Sequence, residues 1–323
     1  MKTSSLIIAV ILSAALLVAF VGCASEDAPQ APQNADAPAA VDVLPPEDSA
    51  DEGKTTVIPQ PAPTEPEAAA EGTVLIIYGD GVETQTDWTL EDLQALEEGY
   101  REITYSTTRN WPTYAHMTGH GVSLRYLLEQ AGVLDSAWTF VFTATDGYRM
   151  NIARQQIYET RYAYAEHSAG GSSGSGEAEP IIAWEWGDND DAFLEDIRPL
   201  FGQRGPQDVN TAASVKNLCR IEVLTWDIGA WEAPGASVPS GSAVTAGTKV
   251  ELTHPFMDNT GLYYTLDGSD PDYDSALYNL STTYFQPQLI VPITIDKDVT
   301  IKAFAGGLGK ADSEVITFTY TVS

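Results

Sequence analysis

Four side chains form this sequence's best equipment for holding an anion: Arg109, Arg198, Ser214 and Lys216. An ammonium and a hydroxyl near a loop end suit a phosphate, and a guanidinium in a cleft grips an oxyanion through paired hydrogen bonds. In an acidic chain the same residue types also serve as surface ion-pair partners and turn groups. His116 and His120 stand four apart, which would put both on one face of a helix, but Pro112 before them and Gly119 and Gly121 around His120 predict a loop. Zinc would also need three or four ligands, and two histidines do not supply them. Cys219 lies in an apolar run and reads as a small buried hydrophobe rather than a metal ligand. Asp267, Asp270, Asp272 and Asp274 crowd one loop and could collect calcium; the loop lacks an EF-hand's glycine and terminal glutamate, and Gly268 with Pro271 explains it as turn chemistry. None of these groupings designates a catalytic residue.

The elements that position these groups follow a long leader. Met1 and Lys2 open an apolar run over residues 6–21 that closes on Phe20-Val21-Gly22-Cys23. This pattern predicts a signal peptide over 1–22, and the small residues before Cys23 resemble a bacterial lipobox, in which the cysteine carries the lipid. The expected location is extracytoplasmic, with the chain lipid-anchored to the bacterial cell membrane. Residues 23–72, rich in Pro, Ala, Asp and Glu, predict a disordered acidic tether. The formal charge of −30 repels nucleic acid and anionic headgroups, so nucleic acid is excluded as a partner. With Cys23 reserved for lipid, Cys219 has no intramolecular partner and no disulfide framework is expected.

Two domains are expected beyond the tether, at 73–227 and 237–323, joined by a linker at 228–236. In the first, 73–78 reads as a strand before the turn signal Gly79-Asp80-Gly81. A helix starts at Thr89, with Leu90, Leu93 and Leu96 at helical spacing and Gly99 as its stop. Strands at 102–107, 139–144 and 218–226 and a helix at 123–130 complete an α+β pattern, interrupted by a Gly/Ser-rich loop at 168–176. The second domain offers short β-branched and aromatic segments at 249–253, 262–266, 289–295, 299–305 and 315–322, which predict a small all-β sandwich.

Several blocks of the first domain carry a family likeness. Gly121-Val122-Ser123-Leu124, Leu127-Leu128, Ala131-Gly132-Val133, Phe142, Ala144, Asp146-Gly147-Tyr148, Ile181-Ile182-Ala183, Arg198-Pro199-Leu200 and Ser214-Val215-Lys216 through Ile221 together resemble the sulfite-oxidase-type molybdopterin-binding domain. The resemblance implies an α+β, mixed sulfite-oxidase-like fold, and a pterin phosphate held at Ser214 and Lys216 with Arg109 and Arg198 in the same cleft. It also implies a molybdenum-ligating thiolate after an early strand, but the matching stretch Thr104-Tyr105-Ser106-Thr107-Thr108-Arg109 has no cysteine. The second domain resembles the C-terminal domain of chitobiases and β-hexosaminidases through Tyr263-Tyr264-Thr265-Leu266-Asp267-Gly268-Ser269-Asp270-Pro271, Tyr278, Pro292-Ile293, Ile295, Thr300-Ile301-Lys302-Ala303 and Tyr320. That module accompanies a catalytic domain and is not itself the hydrolase, so sugar cleavage is not implied.

Two functional expectations follow. One is a surface lipoprotein with a molybdopterin-dependent oxidoreductase domain, degenerate for lack of the cysteine, passing electrons to an external redox partner because no haem or iron–sulfur motif occurs. The other is a non-enzymatic surface adhesion or ligand-binding protein that uses both domains as scaffolds.

Overall fold

A computed structural model describes residues 61–109, 113–164, 175–188 and 193–323. The leader, Cys23, the tether up to residue 60 and most of the 168–176 loop lie outside the described residues.

The first module contains β1 (Thr73–Tyr78), β2 (Thr86–Thr89), α1 (Leu90–Gln94), β3 (Tyr100–Thr108), β4 (Tyr114–Ser123), α2 (Leu124–Gln130) and β5 (Thr139–Ala144). It continues through β6 (Arg149–Ala153), α3 (Arg154–Tyr158), β7 (Tyr162–Tyr164), β8 (Ser175–Glu177), β9 (Ile181–Asp188), β10 (Arg198–Leu200) and β11 (Leu218–Leu224). A five-stranded sheet in the order β2-β1-β11-β5-β6 faces a four-stranded sheet in the order β10-β9-β4-β3. Only the β1–β11 pair of the larger sheet is parallel. Leu75, Ile77, Phe140, Phe142, Ile221 and Val223 fill one face of that sheet, and Val122 and Ile182 meet them from the smaller one. Alternation along each strand produces this division, because successive side chains point to opposite faces.

The expected α+β class is overturned: the described chain is mostly β. Its three α-helices have five, seven and five residues. At 1.5 Å rise per residue the longest spans only about 10 Å, too little to form a layer over a sheet. The leucines at helical spacing are real but local. Thr89 caps α1 with a reciprocal Asp92 contact, Leu93 is buried, and the helix ends at Ala95 before the chain turns through a 3₁₀ segment into β3. Ser123 likewise caps α2, whose Leu124, Leu127 and Leu128 plug the space between the sheets.

The histidine segment is also corrected, from loop to strand β4. Its glycines are there for close approach: a Cβ on Gly121 would stand 2.2 Å from the Ile182 carbonyl oxygen, and one on Gly119 would stand 2.4 Å from Leu200. On a strand, residues four apart are separated by roughly 13 Å, so His116 and His120 cannot share one ion. His120 instead takes Glu185 at 3.1 Å and lies under the Phe193 ring.

The second module is all β, from β12 (Gly235–Ala236), β13 (Ser242–Val244), β14 (Thr248–Val250) and β15 (Leu252–Thr253) to β16 (Gly261–Thr265) and β17 (Ala276–Leu277). It ends in β18 (Ile293–Ile295), β19 (Val299–Gly306) and β20 (Ile316–Val322). Its main sheet runs β13-β20-β19-β16-β17, with Val250, Leu262, Ile295, Ile301, Ala303 and Tyr320 in a separate core. The aspartates of its 267–274 loop are used internally. Asp267 accepts from Ser269, Asp272 from Ser275 and Asp274 N–H, and Asp270 pairs with Lys302 at 2.7 Å.

Two contacts were not announced by composition. The end of the acidic segment, 61–72, lies along the larger sheet, where Thr64 donates from N–H and hydroxyl to buried Glu222, both at 2.7 Å. Across the junction, Trp231 donates its N–H to Ala311, and Gln156 reaches from the first module to Gly307 at 2.6 Å.

Candidate functional site

Ser106 lies near the inner end of β3, where the sheet face is completely covered. Its hydroxyl donates to Gln203 Oε1 and accepts the Tyr164 N–H at 2.7 Å. Gln203, itself buried, passes its amide hydrogens to Thr108 Oγ1 at 2.9 Å and to the Asp208 carbonyl at 2.7 Å. Thr107 donates to Ala115, and Thr108 to Pro206. Every hydroxyl of this stretch therefore has a protein partner, as buried hydroxyls require.

Of the four anion-holding candidates, the structure brings two together. Arg198 Nη1 approaches Ser214 Oγ at 3.4 Å. The guanidinium is not open to an oxyanion, because Asp196 takes it in a two-pronged grip and the Trp186 ring covers it at 3.7 Å. Trp186 locks the carboxylate in turn, donating Nε1–H to Asp196 at 2.7 Å. Lys216 stands exposed in the turn before β11, next to Asn217, whose φ of 52° lies in the left-handed region that a short polar side chain tolerates. Arg109 closes the β3–β4 hairpin with its N–H on Thr113.

A larger ionic network lies at the seam between the modules. Arg204, 3% exposed at its side chain, takes Asp208 at 3.1 Å and Asp312 of the second module at 3.0 Å. Its guanidinium lies 4.0 Å from the centre of the Tyr273 ring, and the Tyr273 hydroxyl also donates to Asp312. Arg161, fully buried, holds Glu159 and donates to the Gly202 and Gln156 carbonyls. Burial would lower the Arg204 pKa, but Asp208, Tyr273, Asp312 and Glu159 together raise it well above its ordinary value. Asp208 is depressed despite its burial, because Arg204 and Arg161 both favour the carboxylate. Glu159 is raised, its burial outweighing the attraction of Arg161 and Arg204. Sequence reading missed this network because its partners are distant in the chain; the one local signal is the dense polar run Gln203-Arg204-Gly205-Pro206-Gln207-Asp208 between apolar segments.

Residues 250–320 match the family described as Fn3 associated, in keeping with an Ig-like or Fn3-type second module. No curated protein matches the chain. Among solved structures, the sulfane dehydrogenase SoxCD from Paracoccus pantotrophus is similar at 12% identity and a TM-score of 0.35, over 72% of this chain and 66% of that one. At that score the likeness carries no argument about fold or chemistry.

The residues present do not fit a molybdopterin centre. The family resemblance implies a thiolate ligand that this stretch lacks, and Ser106, fully buried at the matching position, is held by Gln203 and Tyr164. A pterin phosphate wants uncommitted cations, and Arg198, neutralised by Asp196, is not one. Cys219 lies buried in β11, as a small hydrophobe would.

Proposed function

We propose that this chain is a non-enzymatic binding protein, presented outside the cell by a lipid on Cys23, in which two β-rich modules act as the scaffold for a ligand site. The saturated hydroxyl of Ser106 carries this reading. A group held between Gln203 and a backbone N–H in a fully covered position neither ligates a metal nor attacks a substrate, and exposing it would strip two hydrogen bonds from the core. The oxidoreductase alternative draws support from the block-by-block resemblance of the first module to molybdopterin-binding domains, and the residues that should serve the cofactor work against it.

The test is turnover. Chain exported by a molybdenum-replete host should oxidise no sulfite and reduce no sulfoxide beyond the background of a vector-only preparation. Turnover that disappears in Lys216→Ala would return the chain to the oxidoreductases.

A further inference from the structure

A cleft of about 180 Å³ opens at the seam, walled by Met150, Gln207 and Val209 on one side and by Met257, Asn259 and Leu280 on the other. Its walls are firmly held. The Asn279 amide donates to the Met257 and Thr260 carbonyls at 2.8 and 2.6 Å, which fixes the 257–260 wall, and His254 receives the Phe256 N–H at the same turn. On the opposite side, Gln203 and Arg204 both bind Asp208 and so hold the 203–208 turn. The site is therefore pre-formed and its lining does not need ordering on binding.

The charges of the lining exclude an anion. Among the described residues, no Lys, Arg or His borders the cleft, so an anion would find no counter-charge in a chain of net charge −30. Of its two carboxylates, Asp208 is neutralised by Arg204, whereas Asp258 is exposed and keeps its charge under the N–H and hydroxyl of Thr283 at 2.6 and 2.8 Å. The other polar groups of the walls are neutral. The side-chain amides of Gln207 and Asn259 carry no hydrogen bond among the described residues, and each offers a donor and an acceptor beside apolar Met150 and Met257. Drug-sized ligands occupy pockets of about 300–1,000 Å³, so this space suits a single small ring.

We infer that the cleft is a binding site for an uncharged, hydroxyl-bearing ring of monosaccharide size, its hydroxyls met by Gln207 and Asn259 and its C–H face by Met150 and Met257. This rests on reading the chain as a binding protein. The experiment is to screen the full chain against an array of neutral mono- and oligosaccharides, and then to titrate the best binder alongside its uronic-acid counterpart. A neutral saccharide should bind, with the uronic-acid counterpart at least tenfold weaker. Gln207→Ala and Asn259→Ala should each weaken it by about three- to tenfold, the range of one hydrogen bond, with no change in melting temperature. The inference fails if no neutral saccharide binds, if a uronic acid or a neutral peptide binds better, or if neither substitution alters affinity. Molybdenum assayed on the same preparation separates the two levels. Absence of both metal and saccharide binding removes this inference and leaves the binding-protein reading standing, whereas near-stoichiometric metal removes both.

Discussion

Arg204 and Asp312, 108 residues apart in the chain, meet at 3.0 Å across the seam between the two modules. Asp208 holds the other edge of the same guanidinium, and Tyr273 of the second module covers its face. One side chain thus joins a carboxylate from each module and an aromatic ring.

Arg204→Ala should destabilise the protein by about 3–5 kcal/mol, because it strands Asp208 in a buried position with only Arg161 at 3.6 Å to balance it. Urea unfolding followed by tryptophan fluorescence measures this. Gly205→Ala makes an independent check, since its Cβ would stand 2.2 Å from the Tyr273 carbonyl oxygen and force the modules apart. A loss below about 1 kcal/mol in both variants would mean that the seam contributes little.

Asp208, buried, and Glu159, partly buried, give opposite pH responses. Asp208 is depressed in the fold, so its contribution is present above the ordinary aspartate range and lost as pH falls through its lowered value. Glu159 is raised, so its contribution is present below the ordinary glutamate range and lost as pH rises through its elevated value. Melting temperature should therefore rise modestly as pH falls from neutrality into the glutamate range and drop at stronger acid. Glu159→Gln should flatten the rise and leave the acid drop. An unchanged profile in that variant would show that Glu159 ionises normally.

The contact of Thr64 with Glu222 makes residues 61–72 part of the fold. Glu222 is 1% exposed and also paired with Arg149 at 2.8 Å. A chain starting at Thr73 should be less stable than one starting at Pro61 by about 1–3 kcal/mol, the worth of hydrogen bonds to a buried charge. Equal denaturation midpoints would place that segment outside the folded unit.

Lipid attachment has its own assay. Labelled fatty acid should enter the exported wild-type chain and not Cys23→Ala. Equal labelling of the two would move the anchor elsewhere.

Local signals in the sequence were legible where one residue governs one turn. The helix start at Thr89, the start of the helix at 123–130 and the strand at 139–144 all follow from side-chain type and alternation. The class of the fold was not, because leucine spacing states that a helix forms and not how long it lasts; tertiary packing ends α1 after five residues. β4 was hidden by Gly119 and Gly121, which resemble loop punctuation until the strand that crowds them is known. Arg198 and Ser214 did come together, but Asp196 and Trp186, which neutralise and cover the guanidinium, could be recognised only once packing placed them on it. The seam network was beyond reach for the same reason, its members being chosen by tertiary contact alone.

We propose that the buried hydrogen bonds of Ser106 to Gln203 and Tyr164 leave no place for the molybdenum that the family resemblance implies. Elemental analysis of molybdenum per chain, on wild type and Ser106→Cys exported side by side from a molybdenum-replete host, tests it most directly. The expected result is well under one molybdenum per chain in both, because restoring a thiol does not reopen a position sealed by Gln203 and Tyr164. Near-stoichiometric molybdenum in the wild type would contradict the account.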